Sequence, residues 1–296
     1  MIRQIQYRNM KLRYDRLFTP ILTDVSLRDG LQGANIKDYP TNKKKVILDD
    51  IVKHYNPAKI ELGSLVNPKI LPIMADSMEL YQYAKEKYAT NNLDFFMLIP
   101  SMKQFEIAMK YNIKNLVFIT SISDAFQKKN TNRTIEETKA DFKTITKSLL
   151  REHFYEMRYT KLYISCIQQC PIKGVLDEDN IINEIFYYHN NYRFNELCLS
   201  DTMGTLDAYE LDYILKRLIY IGVPSSKFSL HLHYSPSNIQ NIENLLHVCF
   251  KYNITKYDVS MIDTGGCSVT MKPDELRSNL TYDLFYDIYN RYILHA

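Results

Sequence analysis

The sequence predicts a single-domain α/β protein of the (β/α)8 TIM-barrel class, and three observations carry that prediction. Short apolar or β-branched runs alternate with longer amphipathic segments from one end of the chain to the other, and eight such pairs can be counted. No Pro- or Ser-rich linker interrupts the series. Strict alternation predicts parallel strands, and eight repeats favour a closed barrel over an open doubly wound sheet.

The predicted elements follow one another along the chain in order. Strands are expected at residues 21–26, 59–62, 93–99, 115–120, 161–165, 196–200, 227–233 and 256–261. Helices are expected at residues 43–55, 76–88, 102–111, 135–151, 180–190, 208–221, 237–252 and 279–292, with Asp207 and Ser235 or Ser237 as caps. A dinucleotide-binding sheet would need a glycine-rich first turn, and the segment Arg-Asp-Gly-Leu-Gln-Gly at residues 28–33 lacks that pattern.

Composition excludes several classes of partner. The 296 residues are 46% hydrophobic and 24% charged, which is ordinary for a globular protein with a sizeable core. The net charge of +3, from 37 basic and 34 acidic residues, is too balanced to indicate a nucleic acid as partner. The five cysteines are odd in number and scattered, which favours a reducing compartment over a disulfide framework.

The first 19 residues are predicted to form a basic arm packed on the closed end of the barrel, with the catalytic domain at residues 20–296. The arm faintly resembles an organelle transit peptide but lacks the serine richness of one. The chain does not end in a peroxisomal Ser-Lys-Leu signal. No run of about 18 apolar residues exists that could span a membrane. We therefore expect a cytoplasmic protein with no membrane partner.

The most informative stretch is Phe-Ser-Leu-His-Leu-His-Tyr at residues 228–234. In a strand, successive side chains alternate faces, so His231 and His233 are predicted to point the same way. One histidine in an apolar run is usually a hydrogen-bonded core residue, whereas a same-face pair is also typical of a divalent-metal site. The choice depends on whether the fold brings oxygen ligands to the same place.

Polar residues follow the predicted strands, where barrel enzymes carry their active sites. They are Arg28 and Asp29 after the first strand, Glu61 and Ser64 after the second, Asp201 and Thr202 after the sixth, and Cys267 after the eighth. Singly, each has an ordinary structural explanation, such as an ion pair, a surface acid or a loop cap. Together they suit metal-assisted chemistry on a carbonyl or carboxylate, and oxygen-rich ligands favour Mg²⁺ or Mn²⁺.

At these residues the sequence resembles the 3-hydroxy-3-methylglutaryl-CoA lyase family of metal-dependent barrels. The resemblance lies in Asp-Val-Ser-Leu-Arg-Asp-Gly-Leu-Gln at 24–32 and in Ile-Glu-Leu-Gly-Ser-Leu-Val-Asn-Pro-Lys at 60–69, continued by Met-Ala-Asp at 74–76. Ser165-Cys166, Cys170-Pro171, residues 200–202, His231-Leu232-His233 and Gly265-Gly266-Cys267 follow in the family's order. The matches cover about residues 20 to 285, nearly the whole chain.

The resemblance implies a reaction and a role for each residue. The reaction would be cleavage of 3-hydroxy-3-methylglutaryl-CoA to acetyl-CoA and acetoacetate, a step of leucine degradation and ketone-body formation, in a protein that could be a homodimer. The implied metal ligands are Asp29, His231, His233 and Asn279. The implied catalytic residues are Arg28, Asp29, Glu61, Asp201, His231 and Cys267. The implied substrate-binding residues are Arg28, Gln32, Ser64, Lys128, Lys129, Asn130 and Thr202.

The loop at residues 263–278 departs from the family pattern. It has fewer glycines, Asp263 stands where the family usually has glycine, and the spacing from Cys267 to Asn279 is about three residues longer than in the family. Two alternatives therefore remain open: a related barrel enzyme that performs aldol or Claisen chemistry on another substrate, and a catalytically silent barrel that binds an acyl-CoA or a protein. A silent barrel would gain nothing from so costly a polar rim.

Overall fold

Eight parallel strands close into a barrel in the part of the chain that the structure describes. That part of the computed structural model comprises residues 19–152, 158–272 and 275–295. The barrel strands are β1 (Ile21–Asp24), β2 (Lys59–Ser64), β3 (Asp94–Leu98), β4 (Asn115–Ser121), β5 (Tyr159–Ser165), β6 (Glu196–Ser200), β7 (Phe228–His231) and β8 (Lys256–Val259). Each strand pairs with its neighbours in the chain, and β1 pairs with β8 to close the ring. The predicted fold class is confirmed.

Helices surround the barrel and pack one apolar face on it. They are α1 (Thr41–His54), α2 (Ser77–Lys87), α3 (Met102–Lys110), α4 (Asp124–Thr131), α5 (Ile135–Glu152), α6 (Glu178–Asn191), α7 (Ala208–Tyr220), α8 (Ile239–Lys251) and α9 (Tyr282–His295). In α8 the buried residues recur every three or four positions, which is the period of a helix face: Ile242, Leu245, Leu246, Cys249 and Phe250. The Asp207 side chain caps α7 by accepting a hydrogen bond from the Glu210 amide at 2.9 Å, as predicted.

Helix ends in this chain use asparagine where many proteins use glycine. Asn56, Asn112 and Asn253 lie two residues beyond helices α1, α3 and α8, and Asn132 directly follows α4; all four have φ between 43° and 57°. This left-handed conformation closes the last helical turn, and it is rare for residues other than Gly, Asn and Asp. The low glycine count, eight in 296 residues, is compatible with nine helices because asparagine takes these positions.

The predicted seventh strand, residues 227–233, is wrong at its end. Strand β7 stops at His231, and after Leu232 the residues His233–Tyr234 pair with Ser278–Asn279 in a separate antiparallel ribbon. The predicted helix at residues 279–292 is likewise wrong at its start, because α9 begins at Tyr282. Both errors have one cause: the pairing of His233 with Asn279 joins segments that are far apart in the chain, and local patterns cannot show it.

Two further differences concern local structure. The predicted first strand, residues 21–26, ends at Asp24, and the chain continues through a buried π-helical turn at Ser26–Gly30. Helix α4, which the sequence analysis did not predict, is only eight residues long. The predicted basic arm lies outside the described residues except for Thr19. None of the helices in the described ranges combines the length and apolar character that crossing a membrane requires.

Candidate active site

A cavity opens at the C-terminal ends of the barrel strands, where the sequence analysis expected the site. Its volume is about 880 Å³ counted out to the open mouth. Most of the predicted site residues line it: Arg28, Asp29, Gln32, Ser64, Asn130, Thr202, His231, His233 and Cys267. The remaining predicted residues, Glu61, Asp201, Lys128, Lys129 and Asn279, are not in its wall.

Asp29, His231 and His233 form one cluster at the bottom of this cavity. Their potential ligand atoms lie within 4.8 Å of one another, and all three side chains are buried. The Nε2 atoms of His231 and His233 are 3.7 and 3.4 Å from Oδ2 of Asp29. The ring centroids are 4.7 Å apart, so the predicted same-side arrangement of the two imidazoles holds although the strand breaks between them.

Hydrogen bonds at Nδ1 fix how each imidazole is turned. Nδ1 of His233 is 2.9 Å from the Asp201 carbonyl oxygen, which can only accept, so this nitrogen carries the proton. Nδ1 of His231 is 3.1 Å from Oδ2 of Asp258. Burial would raise the pKa of Asp258, but Lys161 and the bond from His231 outweigh it and hold that pKa below its usual range. An ionised Asp258 accepts from Nδ1 of His231, so in both imidazoles it is Nε2 that faces Asp29.

The acid of the cluster is held ionised. Burial would raise the pKa of Asp29, but the Arg28 guanidinium and the hydrogen bond with His233 outweigh it and hold the pKa well below its usual range. Burial lowers the pKa of His231, which keeps that imidazole neutral. For His233 burial also acts to lower the pKa, but Asp29 more than offsets it and the pKa rises. An anionic oxygen beside imidazole nitrogens is a donor set for a divalent cation.

Asn279 adds a buried oxygen that has no partner among the described residues. It pairs with His233 in the antiparallel ribbon, and its Nδ2 donates to the Thr264 carbonyl at 3.0 Å. Its Oδ1 is buried without a hydrogen-bond partner in the described part of the chain. A Cβ on Gly265 would lie 2.4 Å from Nδ2 of Asn279, so only glycine fits there. An amide oxygen left free suits a metal that prefers oxygen ligands, and the residues present therefore fit the predicted cation.

The Arg28 guanidinium lines the same cavity, and only some of its hydrogen-bond donors have a partner. Nη1 pairs with Oδ1 of Asp29 at 2.7 Å, and Nε pairs with Oε2 of Glu61 at 2.8 Å. The guanidinium carbon lies 4.7 Å from the centroid of the Tyr163 ring. Nη2 is buried and has no hydrogen-bond partner among the described residues. A buried guanidinium with a free donor is suited to an anionic oxygen of a bound molecule.

Cys267 lies on a loop that covers one side of the cavity and is tied to it at several points. The half-buried thiol donates to Oδ1 of Asn130 at 3.3 Å and lies 3.9 Å from Nε2 of Gln32. The Gly266 amide donates to Oδ2 of Asp29 at 3.2 Å, which joins the loop to the metal-ligand cluster. Burial raises the pKa of Cys267, so the group is a protonated thiol at neutral pH.

Two predicted catalytic residues lie behind the cavity wall. Glu61 is fully buried and holds Arg28 from below. The carboxylate of Asp201 accepts from the amides of Thr205 and Leu206 at 3.1 and 3.2 Å, and burial raises its pKa to about 6. Neither carboxylate faces the cavity, so in this geometry both act by positioning other groups, and a direct chemical role for them stays a prediction.

The predicted contacts for the CoA end of a ligand lie at the outer rim. Lys128 and Lys129 are exposed residues of helix α4. Lys129 Nζ donates to the Thr270 carbonyl at 3.1 Å and so ties α4 to the Cys267 loop. Asn130 is the member of this segment that reaches the cavity wall.

The sequence analysis missed a layer of charged residues inside the barrel, beneath the cluster. Asp258, Lys161 and Tyr163 lie on strands β8 and β5 and are buried. A lysine or aspartate in the middle of an apolar strand was the available signal, because a buried charge is retained only with partners. Lys161 and Tyr163 connect Glu61 with Asp258.

Comparison with known proteins finds similarity over most of this chain. A family model described as HMGL-like matches residues 19–237. A mitochondrial hydroxymethylglutaryl-CoA lyase of Arabidopsis thaliana is 28% identical over 250 residues, which are 83% of this chain but only 50% of that protein. A Pseudomonas aeruginosa protein named 3-hydroxy-3-isohexenylglutaryl-CoA/hydroxy-methylglutaryl-CoA lyase is 27% identical over 252 residues, 83% of this chain and 77% of that one.

The fold similarity is equally extensive. The crystal structure of the HMG-CoA lyase from Brucella melitensis matches with a TM-score of 0.77 at 22% identity, covering 92% of this chain and 91% of the other. The chain spans about half the length of its Arabidopsis relative, and the family match covers most of the barrel. The chain therefore belongs to the HMGL-like family, which includes the hydroxymethylglutaryl-CoA lyases, and it is a carbon–carbon lyase.

Proposed function

We propose that this protein cleaves 3-hydroxy-3-methylglutaryl-CoA to acetyl-CoA and acetoacetate with the aid of Mg²⁺ or Mn²⁺. One observation carries the proposal: a single cavity holds the Asp29, His231 and His233 cluster, the free guanidinium nitrogen of Arg28 and the protonated thiol of Cys267. These are the groups that a retro-Claisen cleavage of a tertiary alcohol requires, namely a cation site, an enolate-stabilising charge and a proton donor.

The metal would be held by Asp29, His231, His233 and Asn279. A divalent cation held there would polarise the carboxylate and tertiary hydroxyl of the substrate and lower the pKa of that hydroxyl. Asp258 and the Asp201 carbonyl keep the two imidazoles turned toward this position. The chain's contribution is a rigid, mostly buried set of donors that loses little freedom when the cation binds.

Three groups of the chain would move or stabilise the protons and electrons of the reaction. Asp29 or one of the two histidines would take the hydroxyl proton; the C3 oxygen becomes the carbonyl of acetoacetate, and the C2–C3 bond breaks. The bond electrons pass to C2 as the enolate of the thioester, and the Arg28 guanidinium stabilises the enolate oxygen. The Cys267 thiol then gives its proton to C2, which completes acetyl-CoA, so atoms and charge balance without an oxidant or reductant.

Further residues would bind the acyl part of the substrate and the phosphates of CoA. Gln32, Ser64 and Thr202 line the cavity and offer polar groups to the acyl part. Lys128 and Lys129 at the rim would meet the phosphates of CoA. The part in leucine degradation and ketone-body formation, the cytoplasmic location and the homodimer belong to the same proposal.

The apolar wall of the cavity favours a second candidate substrate. Aliphatic and aromatic side chains make up much of the cavity lining, among them Leu71, Met74, Leu98, Ile119 and Phe126. Such a wall suits a larger apolar substituent at C3 than methyl. The Pseudomonas relative, whose name includes an isohexenyl-bearing thioester, supports this alternative.

Thioester cleavage with and without metal tests the proposed function. Purified protein stripped with a chelator should not cleave 3-hydroxy-3-methylglutaryl-CoA, and added Mg²⁺ or Mn²⁺ should restore release of acetyl-CoA. Comparison of kcat/KM for the methyl and isohexenyl thioesters decides between the two candidates. Absence of cleavage of either thioester at saturating metal would leave the lyase proposal without support.

Removal of one imidazole should weaken metal binding. His233→Ala takes away a ligand that only water can replace, so Mn²⁺ affinity measured by calorimetry or electron spin resonance should fall by about tenfold or more. His247→Ala is the matched control, because His247 is exposed on helix α8, away from the cavity. Equal affinities of wild type and His233→Ala would remove His233 from the metal site.

Loss of the Arg28 charge should slow the reaction more than it affects metal binding. Arg28→Gln should lower kcat by roughly a hundred-fold, because a charge placed on the developing enolate is lost, while Mn²⁺ affinity changes much less. Arg291→Gln, which removes an exposed arginine paired with Glu243, is the control and should leave kcat unchanged. An unaltered kcat in Arg28→Gln would reduce Arg28 to a structural ion pair.

The Cys267 thiol should matter for turnover and little for stability. Cys267→Ser should cost on the order of a hundred-fold in kcat, the usual scale for a positioned acid or base, with nearly unchanged Tm. Cys249→Ser is the contrasting control: Cys249 is fully buried in α8, so this variant should melt earlier but keep its kcat. Substrate analogue should protect Cys267 from alkylation. Full activity of Cys267→Ser with a lowered Tm would contradict the role.

A further inference from the structure

One buried ammonium group connects Arg28 with the metal-ligand cluster through two carboxylates. Lys161 lies in the middle of strand β5 with no exposed surface. Its Nζ donates to Oδ1 of Asp258 at 2.6 Å, to the Tyr163 hydroxyl at 2.9 Å and to Oε1 of Glu61 at 3.2 Å. An ammonium has three protons to donate, so these three acceptors use its full capacity.

Lys161 also lies 3.7 Å from Oε1 of Glu196, but the two carboxylates to which it donates hydrogen bonds hold different parts of the site. Oε2 of Glu61 accepts from Nε of Arg28 at 2.8 Å. Oδ2 of Asp258 accepts from Nδ1 of His231 at 3.1 Å. Each carboxylate therefore gives one oxygen to Lys161 and the other to a site residue. Lys161 does not line the cavity and does not contact the metal ligands. The Glu61 carboxylate separates it from Arg28, and the Asp258 carboxylate separates it from His231.

Tyr163 cannot replace the ammonium in this arrangement. Its hydroxyl lies 2.6 Å from Oε1 of Glu61 and also within hydrogen-bond distance of Oδ2 of Asp258. A phenol has a single proton, so it can serve one carboxylate at a time. The other carboxylate depends on Lys161, which is the group that can satisfy both.

Charge makes this dependence strong. Glu61 and Asp258 are fully or almost fully buried, and a carboxylate at such depth is stable only with an opposite charge close by. Burial would lower the pKa of Lys161, but Asp258 and Glu61 outweigh it and raise that pKa well above its usual value, so the ammonium stays charged. Without it, Arg28 alone would face three nearby acids, counting Asp29.

We propose that Lys161 is a positioning residue for both the metal site and the enolate-stabilising guanidinium. Through Asp258 it fixes the ring of His231, and through Glu61 it fixes the side chain of Arg28. The inference rests on the proposed function, because it assigns a purpose to the orientation of groups that the lyase reaction uses. A purely structural role would predict loss of stability without a specific loss of metal affinity.

The test compares two buried lysines of the same barrel. Lys161→Met should raise the Mn²⁺ dissociation constant by about tenfold or more, the range usual for loss of groups behind metal ligands. At saturating Mn²⁺ its kcat should also fall by about tenfold or more with little change in KM, because Arg28 loses its fixed position. Circular dichroism and Tm verify that each variant is folded.

Lys59→Met is the matched control. Lys59 is also buried and pairs with Glu196 at 2.8 Å and with the Tyr159 hydroxyl at 3.0 Å. It shares Glu196 with Lys161, which lies 3.7 Å from that carboxylate, but it contacts neither Glu61 nor Asp258. The variant should lose stability while its Mn²⁺ affinity and kcat stay within about twofold of wild type. If both lysine variants lose Mn²⁺ affinity equally, the effect is general damage to the barrel and the inference is wrong.

A comparison of two other variants tests the same route if Lys161→Met alone does not fold. Asp258→Asn and the charge-balanced pair Lys161→Met with Asp258→Asn should bind Mn²⁺ within about twofold of each other, because Lys161 acts on His231 through Asp258. A pair that binds tenfold more weakly than Asp258→Asn overturns that route. Wild type without Mn²⁺ binding overturns both proposals, whereas unchanged affinity in Lys161→Met overturns this inference alone.

Discussion

The active site depends on how the carboxylate of Asp29 divides its two oxygens. One oxygen accepts from Arg28, and the other faces His231 and His233 and accepts from the Gly266 amide of the loop that carries the thiol. A single side chain thus sets the distance between the guanidinium, the imidazole pair and the loop. The π-helical turn at Ser26–Gly30 holds this carboxylate in place, and such turns are frequent at functional sites.

The barrel was predictable because its strands and helices have recognisable local sequence patterns. Strands such as Glu196–Ser200 are buried on both faces and appear as short continuous apolar runs, and helices such as α8 show a clear apolar period. The break after His231 was not predictable, because the alternating pattern continues through Leu232 to His233 while the actual partner of His233 lies 46 residues later at Asn279. Pairing over that distance is decided by tertiary structure.

The candidate site likewise contains residues that the sequence could predict and residues that it could not. The residues that line the cavity were found from their place after strands and from motif resemblance, because barrel enzymes carry their active sites at that end of the strands. Glu61 and Asp201 were assigned chemical roles, yet in the fold their carboxylates face a guanidinium and loop amides. Lys161 was missed because its single letter within an apolar run gives no information about its three acceptors.

The asparagines that end helices α1, α3, α4 and α8 have an effect that lies outside the folded structure. Each accepts a small conformational strain in the left-handed region, where glycine would have none. Glycine, however, would give the unfolded chain far more backbone freedom at each of these four positions, and folding would have to remove it. Part of the barrel's stability against unfolding therefore comes from the reduced backbone freedom of the unfolded chain. No contact in the native state shows this contribution.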